Sequence, residues 1–403
     1  MKIEKIEFLN KEGQQLSGRL ELPVNQHPHN FAIFAHCFTC TKNLSAVKNI
    51  SRSLTSNGFG VLRFDFTGLG ESDGDFADTN FSGNVEDLIA ASDYLAQHYQ
   101  SPTLLVGHSL GGAAVIFAAK QIGSVKAVAT IGAPSNPEQV KHLFKSNIEE
   151  IEASGLATVN LSGRDFTIKK QFLDDLDNNS LSEVAKNLRK ALLVMHSPQD
   201  ATVSIKNAEE IYISAHHPKS FVSLDGADHL LMKKRDSLYA GEVISVWAKR
   251  YVDIPEEEQL RSKHQVVASL DNDDGFTTQM KVGNHYMIAD EPTSYGGNDF
   301  GPSPYELVSA GLSACTAMTI QMYAKRKGWL IENVEVHTSY GKTHAEDCAH
   351  CDETSAKIDT FNRDIKLEGN FDEKQITRIL QIADKCPVHK TLHSETQVIT
   401  KLI

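Results

Sequence analysis

Between residue 16 and about residue 250, short apolar runs alternate with helical stretches, and this alternation narrows the possible folds more than any other feature. Six runs have the length of strands: Phe31–Ala35, Gly60–Phe64, Thr103–Val106, Ala127–Ile131, Ala191–Met195 and Ser220–Leu224. They lack polar alternation, which is typical of parallel strands buried on both faces. Helical patterns such as Gly83–Gln97 and Leu110–Gln121 separate most of them. The sequence therefore predicts an α/β fold with a mostly parallel sheet.

The alternation is interrupted once and then ends. Residues 133–189 carry charged helical segments and a hairpin pattern, which predicts a cap inserted over the sheet. Residues 251–262 contain three consecutive glutamates and a proline, as expected for a linker. Residues 263–403 have strand patterns first, then a long apolar helix from Pro304 to about Lys327 and a second helix from Asp372 to about Lys385. We therefore expect two domains, 1–250 and 263–403, the second of the α+β class.

Composition excludes several classes of function. Lys and Arg number 40 against 52 Asp and Glu, a net charge of −12, so a nucleic-acid partner is not expected. No run approaches the roughly 18 apolar residues of a membrane span, and charges fill the N-terminal stretch where a signal peptide would be apolar. Six cysteines are too few for a disulfide scaffold. The sequence predicts a soluble, cytoplasmic protein without a metal or cofactor.

A candidate nucleophile lies where the third apolar run meets a helix. The run Thr103–Val106 continues into Gly107-His108-Ser109-Leu110-Gly111, and an alanine-rich helix follows. A nucleophilic serine on a sharp strand-to-helix turn needs very small residues two positions before and after it, because the backbones nearly collide there. Gly107 and Gly111 meet this requirement, so Ser109 is the predicted nucleophile.

A serine hydroxyl needs a base that an acid orients, and in such sheets the acid and then the histidine follow the serine along the chain. Asp200 comes shortly after the run Ala191–Met195, and His229 comes after the next run. Asp228 is a rival acid, but a residue adjacent to the base does not easily reach its far nitrogen. The predicted triad is Ser109, His229 and Asp200.

Over residues 16–250 these motifs resemble the α/β-hydrolase superfamily, most closely small esterases and the serine aminopeptidase-like branch. The stretch from Phe34 to Phe38 matches the family's apolar strand followed by His-Gly, with Cys37 in place of the glycine. The resemblance implies that the backbone N–H groups of Phe38 and Leu110 form the oxyanion hole. It also implies hydrolysis of an ester, thioester or other small acyl substrate through an acyl-enzyme.

The stretch Asp65–Ser72 resembles the Asp-x-x-Gly-x-Gly-x-Ser loop of the same superfamily. Its glycines also mimic a dinucleotide-binding fingerprint, which requires a helix to begin on them. Here Ser72–Asp75 continues the loop, so the nucleotide interpretation is rejected.

The second domain contains two cysteines in different settings. Ser303, Pro304 and Glu306 predict a capped start for the long helix, and Cys315 lies eleven residues after Pro304 among small apolar residues. Cys386 directly precedes Pro387-Val388-His389, where we expect a new helix. A helix N-terminus with cations nearby stabilises a thiolate at Cys386.

Together these motifs resemble the OsmC/Ohr family of organic-hydroperoxide reductases over residues 263–403. The resemblance implies that Cys315 attacks the peroxide, that Cys386 resolves the sulfenic acid, that a thiol reductant restores both, and that the domain forms a homodimer. The match is imperfect: Tyr305 stands where peroxidase members have a glutamate, and no activating arginine is evident near Gly283–Tyr286. The alternative is an active hydrolase whose second domain only dimerises or binds a ligand.

Two further groups of cysteines leave their roles open. Cys37 and Cys40 are either two thiols or a redox pair whose oxidation would switch off the hydrolase. His344, Cys348, His350 and Cys351 are compact for a zinc site, which usually takes two separated pairs of ligands, so we expect a solvated loop.

Overall fold

The computed structural model describes residues 2–23, 28–161, 163–177, 181–254, 260, 262–271, 274–344 and 357–402. It divides into two compact units, Met1–Gln259 and Leu260–Ile403.

One mixed sheet organises the first unit. Its strands, in chain order, are β1 Lys2–Leu9, β2 Gln15–Leu22, β3 Asn30–Ala35, β4 Phe59–Phe64, β5 Pro102–His108, β6 Ala127–Ile131, β9 Ala191–His196 and β10 Lys219–Ser223. Their spatial order is β1-β2-β4-β3-β5-β6-β9-β10, with β1 and β2 antiparallel and the other six strands parallel to one another. A two-stranded hairpin, β7 Leu156–Leu161 and β8 Arg164–Lys169, lies outside this sheet.

The helices of the first unit are α1 Ser45–Ser56, α2 Phe81–His98, α3 Leu110–Gln121, α4 Ile148–Ser154, α5 Lys170–Asp177, α6 Leu181–Asn187, α7 Lys206–Ser214 and α8 Lys234–Ala248. Strand β3 shows how they cover both faces of the sheet. Phe31 and Ile33 join the apolar cluster that contains α2 and α3, whereas Ala32 and Phe34 join the cluster that contains α1 and α8. Burial on both faces explains why the parallel strands read as continuous apolar runs.

The predicted α/β fold with a mostly parallel sheet is confirmed, and the six apolar runs all form strands. Strands β1 and β2 were not among them. Only two of the eight residues of β1 are buried, because it is the edge strand and its charged positions face water. A polar-rich edge strand gives a weak apolar pattern, so the sequence reading passed over it.

The second unit combines short antiparallel sheets with one long helix. Its strands are β11 Val266–Ser269, β12 Thr278–Val282, β13 His285–Ala289, β14 Asn333–His344 and β15 Lys357–Glu368. Strands β11–β13 form one sheet, and β14 pairs with β15. Its helices are α9 Pro304–Lys327, α10 Glu373–Ala383 and α11 Pro387–Leu392.

Helix α9 begins where the sequence predicts. Ser303 accepts a hydrogen bond from the Glu306 backbone, and the Glu306 carboxylate accepts one from the Ser303 backbone in return. Within the described residues, α9 is the single helix that is long and apolar enough to cross a membrane, a test that core helices of soluble proteins also pass. The sequence estimate passed over it because serine, threonine and glycine interrupt its apolar positions.

Candidate active site

Ser109 lies in the turn between β5 and α3, in a backbone conformation that few L-residues adopt. Its φ of 55° and ψ of −125° mark a strained position. A Cβ atom on Gly107 would lie 2.3 Å from the Gly111 carbonyl oxygen, and one on Gly111 would lie 2.4 Å from the His36 carbonyl oxygen. Both flanking positions therefore accept only glycine, as the sequence predicted.

The three residues of the predicted triad form one chain of hydrogen bonds. His229 Nε2 lies 3.0 Å from Ser109 Oγ, and His229 Nδ1 lies 2.7 Å from Asp200 Oδ2. Ser109 follows β5, Asp200 follows β9 and His229 follows β10, so all three come after the carboxyl ends of parallel strands. The rival acid Asp228 accepts instead from the backbone N–H groups of Leu230 and Met232.

Asp200 is held as a carboxylate. Burial raises the pKa of its carboxyl, but hydrogen bonds from the His229 ring and from the Val203 and Thr202 backbone outweigh burial and leave that pKa below its ordinary value. An ionised Asp200 keeps the hydrogen on Nδ1 of His229, which leaves Nε2 free to accept the Ser109 proton.

Three further histidines surround the triad, and all are buried. Burial lowers the pKa of His36, of His196 and of His108, for which the value is about 3, so each is neutral at pH 7. His108 Nε2 lies 2.7 Å from the carbonyl oxygen of His229 and thereby fixes the loop that carries His229. The sequence named His108 only as part of the serine motif.

Two backbone N–H groups, those of Phe38 and Leu110, are assigned by resemblance to the oxyanion hole; Phe38 lines the same cavity as Ser109, and Leu110 directly follows Ser109 in the chain. Phe38 follows β3, and Leu110 is the first residue of α3. Within the described part of the chain, neither N–H has a hydrogen-bond acceptor, whereas the neighbouring N–H of Ser109 donates to Ile131. Two unengaged N–H donors are what an oxyanion hole requires.

Cys37 and Cys40 are joined by a disulfide. The sequence left two alternatives, two thiols or a redox pair, and the bridge shows that the free-thiol alternative is wrong. The bridge closes the turn that contains Phe38, so the cysteine that replaces the family's glycine at residue 37 is half of a cross-link.

A cavity of about 630 Å³ opens over Ser109 and His229. The cap hairpin β7–β8 and the loop after β3 form its walls. Its other lining residues include Phe38, Leu143, Leu161, Leu230, Asn43, Asn160, Arg164 and Thr202. This mixture of apolar side chains with a few polar ones suits a small acyl group attached to a polar leaving group.

A buried charge network that the sequence did not reveal anchors the loop after β3. Lys42 is fully buried, with Nζ 2.5 Å from Asp65 Oδ2 and 3.0 Å from Glu71 Oε2. Asp65 Oδ1 also accepts the backbone N–H of Lys42. A Cβ on Gly70 would lie 2.1 Å from Asp65 Oδ2, which explains a glycine in the Asp-x-x-Gly-x-Gly loop. This loop therefore folds around its own aspartate.

In the second unit Cys315 is partly exposed on α9, and Cys386 is buried at the start of α11. Cys386 caps α11 as predicted, because its Sγ accepts the His389 backbone N–H at 3.3 Å. Thr316, the residue after Cys315, places its Oγ1 3.6 Å from Cys386 Sγ. Both cysteines are unbridged, and Thr316 connects their two helices.

Arg363 on β15 supplies a cation that no sequence motif indicates. Its guanidinium donates to Thr316 Oγ1 at 2.8 Å, to the Ala383 carbonyl at 3.3 Å and to Asp384 Oδ1 at 2.7 Å. The expected position near Gly283–Tyr286 is instead the turn between β12 and β13. Cys348, His350 and Cys351 lie outside the described residues, as does the side chain of His344; the described residues contain no cluster suited to a metal ion.

Two families match the chain. A model described as serine aminopeptidase, S33, matches residues 27–162, and one described as OsmC-like protein matches residues 296–401. Each match falls within one compact unit, in the order that a fusion of the two requires.

The chain is also similar to individual proteins over its first unit. The crystal structure of the esterase domain from a Rhodothermus marinus protein is 49% identical and covers 63% of this chain and 100% of that one, with a TM-score of 0.53. The uncharacterized protein YfhR of Salmonella typhimurium is 24% identical over 238 residues, 56% of this chain and 74% of that protein. The mitochondrial palmitoyl-protein thioesterase ABHD10 of Mus musculus is 27% identical over 200 residues, 47% of this chain and 65% of that protein.

Proposed function

Since the chain belongs to the α/β-hydrolase superfamily in its first unit and to the OsmC-like family in its second, we propose that the first unit is a serine hydrolase of small acyl esters or thioesters. The observation that carries the proposal is the unbroken hydrogen-bond chain from Asp200 through His229 to Ser109, at 2.7 and 3.0 Å. The neighbouring esterase and thioesterase set the substrate classes to be tested.

In the proposed mechanism Ser109 Oγ attacks the acyl carbon while His229 Nε2 takes the hydroxyl proton. The negative charge that forms on the carbonyl oxygen is stabilised by the Phe38 and Leu110 N–H groups. His229 then gives the proton to the leaving alcohol or thiol, and the acyl group remains on Ser109. Water attacks this ester with His229 again as the base, which releases the acid and restores the hydroxyl.

The test compares p-nitrophenyl butyrate with butyryl thioesters as substrates of the full chain. We expect saturable hydrolysis, loss of turnover by about 10³-fold or more in Ser109→Ala, and stoichiometric labelling of Ser109 by a fluorophosphonate. Ser154→Ala, an exposed serine of the cap, is the matched control and should retain both properties. Unchanged hydrolysis in Ser109→Ala would refute the assignment.

For the second unit we propose reduction of organic hydroperoxides. The Cys315 thiolate attacks the outer peroxide oxygen, the alcohol leaves, and Cys315 becomes a sulfenic acid. Cys386 then displaces water to form a disulfide, and two electrons from an external thiol reductant restore both thiols. The contact between Thr316 and Cys386, with Arg363 bound to Thr316, supports this pairing because it holds the two cysteine-bearing helices together beside a cation.

Peptide mapping after stoichiometric cumene hydroperoxide tests this second activity. We expect a Cys315–Cys386 disulfide that is lost in either Cys→Ser variant. If both thiols stay reduced, the alternative holds, and the second unit serves as a dimerisation or ligand-binding module.

We also propose that the second unit forms a homodimer. Helix α9 exposes Val308 by 40%, Met318 by 66% and Met322 by 72%, a row of apolar side chains that a partner helix would cover. Light scattering of the full chain should give twice the monomer mass of 44.4 kDa, and Met318→Glu should lower the measured mass toward that of the monomer. The cytoplasmic location stays a prediction of the sequence.

A further inference from the structure

The loop after β3 makes a tight turn from Cys37 to Cys40 in the wall of the cavity over Ser109. The Cys40 backbone N–H donates to the Cys37 carbonyl at 3.1 Å, and the disulfide joins the same two residues. Between them Thr39 has a φ of 59°, a left-handed conformation that a β-carbon disfavours. The disulfide therefore adds a covalent link to a turn that the hydrogen bond alone would close, and it helps to hold Thr39 in a conformation that its side chain disfavours.

This turn fixes the direction of the Phe38 N–H. The Cys37 carbonyl and the Phe38 N–H belong to one peptide unit, which is planar and trans, so they point in opposite directions. The carbonyl accepts from the Cys40 N–H and from His36 Nδ1, 2.9 Å away. His36 Nε2 accepts the Phe66 N–H at 3.4 Å, which leaves the ring hydrogen on Nδ1. Two hydrogen bonds to the Cys37 carbonyl therefore fix the orientation of this peptide unit, and the Phe38 N–H points to its opposite side.

The cap is attached to the same turn. The Arg164 guanidinium, at the start of β8, donates a hydrogen bond to the Thr39 carbonyl. Arg164 and Cys40 both line the cavity. A change in the turn would therefore move an oxyanion donor and one wall of the cavity together.

The two cysteines differ in exposure. Both line the cavity, but Cys37 is 3% exposed whereas Cys40 is partly exposed. The greater exposure of Cys40 makes its sulfur the expected point of attack for a thiolate that enters the cavity. Breaking the bridge leaves only hydrogen bonds, from the Cys40 N–H to the Cys37 carbonyl and from Arg164 to the Thr39 carbonyl, to hold Thr39 in its disfavoured conformation.

We propose that Cys37–Cys40 is a redox-active disulfide that controls the hydrolase: the bridged form holds the Phe38 N–H in place and is active, and reduction lowers turnover. The proposal rests on the serine hydrolase function proposed above. Its direction is opposite to the switch that the sequence suggested, because the bridged structure has a complete triad and an unengaged Phe38 N–H.

The step balances with a dithiol as reductant. One thiolate of the dithiol attacks Cys40 Sγ, and Cys37 leaves as a thiolate that takes up a proton. The second thiol of the reductant then attacks the mixed disulfide and releases Cys40. Two electrons and two protons pass from the dithiol to the protein, and the reductant becomes a cyclic disulfide.

The experiment measures ester hydrolysis by the full chain before and after dithiothreitol, with alkylation and mass spectrometry to count free thiols at residues 37 and 40. Removal of one oxyanion donor costs about 10²–10³-fold in kcat, and reduction loosens this donor without removing it. We therefore expect kcat to fall by about 10-fold to 100-fold with little change in KM, and to recover on reoxidation with diamide.

Two variants complete the test. Cys37→Ala/Cys40→Ala should have the low rate of the reduced form and no response to dithiothreitol, although it retains every thiol of the second unit. Cys348→Ser/Cys351→Ser, which removes the other cysteine pair with the same spacing, should keep the full response. Circular dichroism checks that both variants fold. The dithiothreitol experiment on the unmodified chain tests the switch even if a variant does not fold.

Several results would overturn the switch. Free thiols at both residues after diamide treatment, an unchanged kcat in fully reduced protein, or a response that persists in Cys37→Ala/Cys40→Ala would each do so and leave the hydrolase assignment intact. Absence of hydrolysis in both redox states, together with no fluorophosphonate labelling of Ser109, would overturn the proposed function and the switch with it.

Discussion

Acidification should destabilise the first unit through histidines that lie buried beside the triad, and His108 allows the effect to be worked out. It is 2% exposed, and burial together with the nearby His229 lowers its pKa to about 3. In the unfolded chain the same imidazole has a pKa of about 6.5. Between these two values the unfolded state binds a proton that the folded state refuses, so the free energy of unfolding falls as pH falls.

The size of the effect follows from proton uptake between pH 7 and pH 5. An imidazole with a pKa of about 6.5 is protonated in roughly a quarter of unfolded chains at pH 7 and in about 97% at pH 5. The folded protein stays neutral at His108 throughout. Integration of the difference gives a loss of about 2 kcal/mol, and the result hardly changes while the folded pKa stays below about 4.

The assay is urea unfolding at pH 7 and pH 5, followed by the fluorescence of Trp247. The chain has two tryptophans, so Trp329→Phe leaves a single reporter, which lies in the first unit. His108→Gln keeps an N–H donor for the His229 carbonyl but cannot titrate. On acidification from pH 7 to pH 5, the free energy of unfolding of His108→Gln should fall by about 2 kcal/mol less than that of the protein with His108. The effects of the other titrating groups cancel in this comparison. An equal loss in both proteins would refute the reasoning.

Three other changes test the site. Asp200→Asn should reduce kcat by about 10⁴-fold with little change in KM, because the amide favours the wrong histidine tautomer; steady-state ester hydrolysis measures it. Lys42→Met should lower the free energy of unfolding by about 3–5 kcal/mol by leaving Asp65 buried and unpaired, and a second change, Asp65→Asn, should restore part of it in urea titrations. Gly132→Ala should reduce kcat by about 10-fold or more, since its Cβ would lie 3.3 Å from Asp200 Oδ2, whereas Gly13→Ala has a similar positive φ and open space, so its kcat should not change.

The predictable parts of the first unit are those where backbone geometry alone sets the constraint. The Gly107-to-Gly111 turn is readable because the requirement for glycine comes from contacts with nearby backbone. The positions of Asp200 and His229 follow from strand order, because parallel strands deliver their carboxyl-end loops to the same edge of the sheet. These constraints need no knowledge of side-chain packing.

The buried charges were not predictable for the opposite reason. Lys42 and Asp65 are 23 residues apart, and each reads in the sequence as an ordinary charged loop residue. Their pairing appears only when β3 and β4 lie side by side and bring the following loops together. Arg363 is a similar case, since it meets Thr316 from 47 residues away through the packing of β15 against α9.

Cys37 replaces a glycine of the family pattern, and the effect of this replacement can be explained only from the contacts of Cys37 in the structure. By sequence alone, Cys37 is a cysteine where the superfamily has a glycine, one residue before a predicted oxyanion donor. In the structure its carbonyl is held by His36 and by Cys40, and its sulfur is bound to Cys40, so the peptide that carries the Phe38 N–H is fixed from one side. A glycine at residue 37 would leave the backbone bond but no cross-link. The same substitution therefore adds rigidity while the bridge is intact and removes it when the bridge is reduced, which is the physical basis for expecting hydrolysis to follow the redox state of this pair.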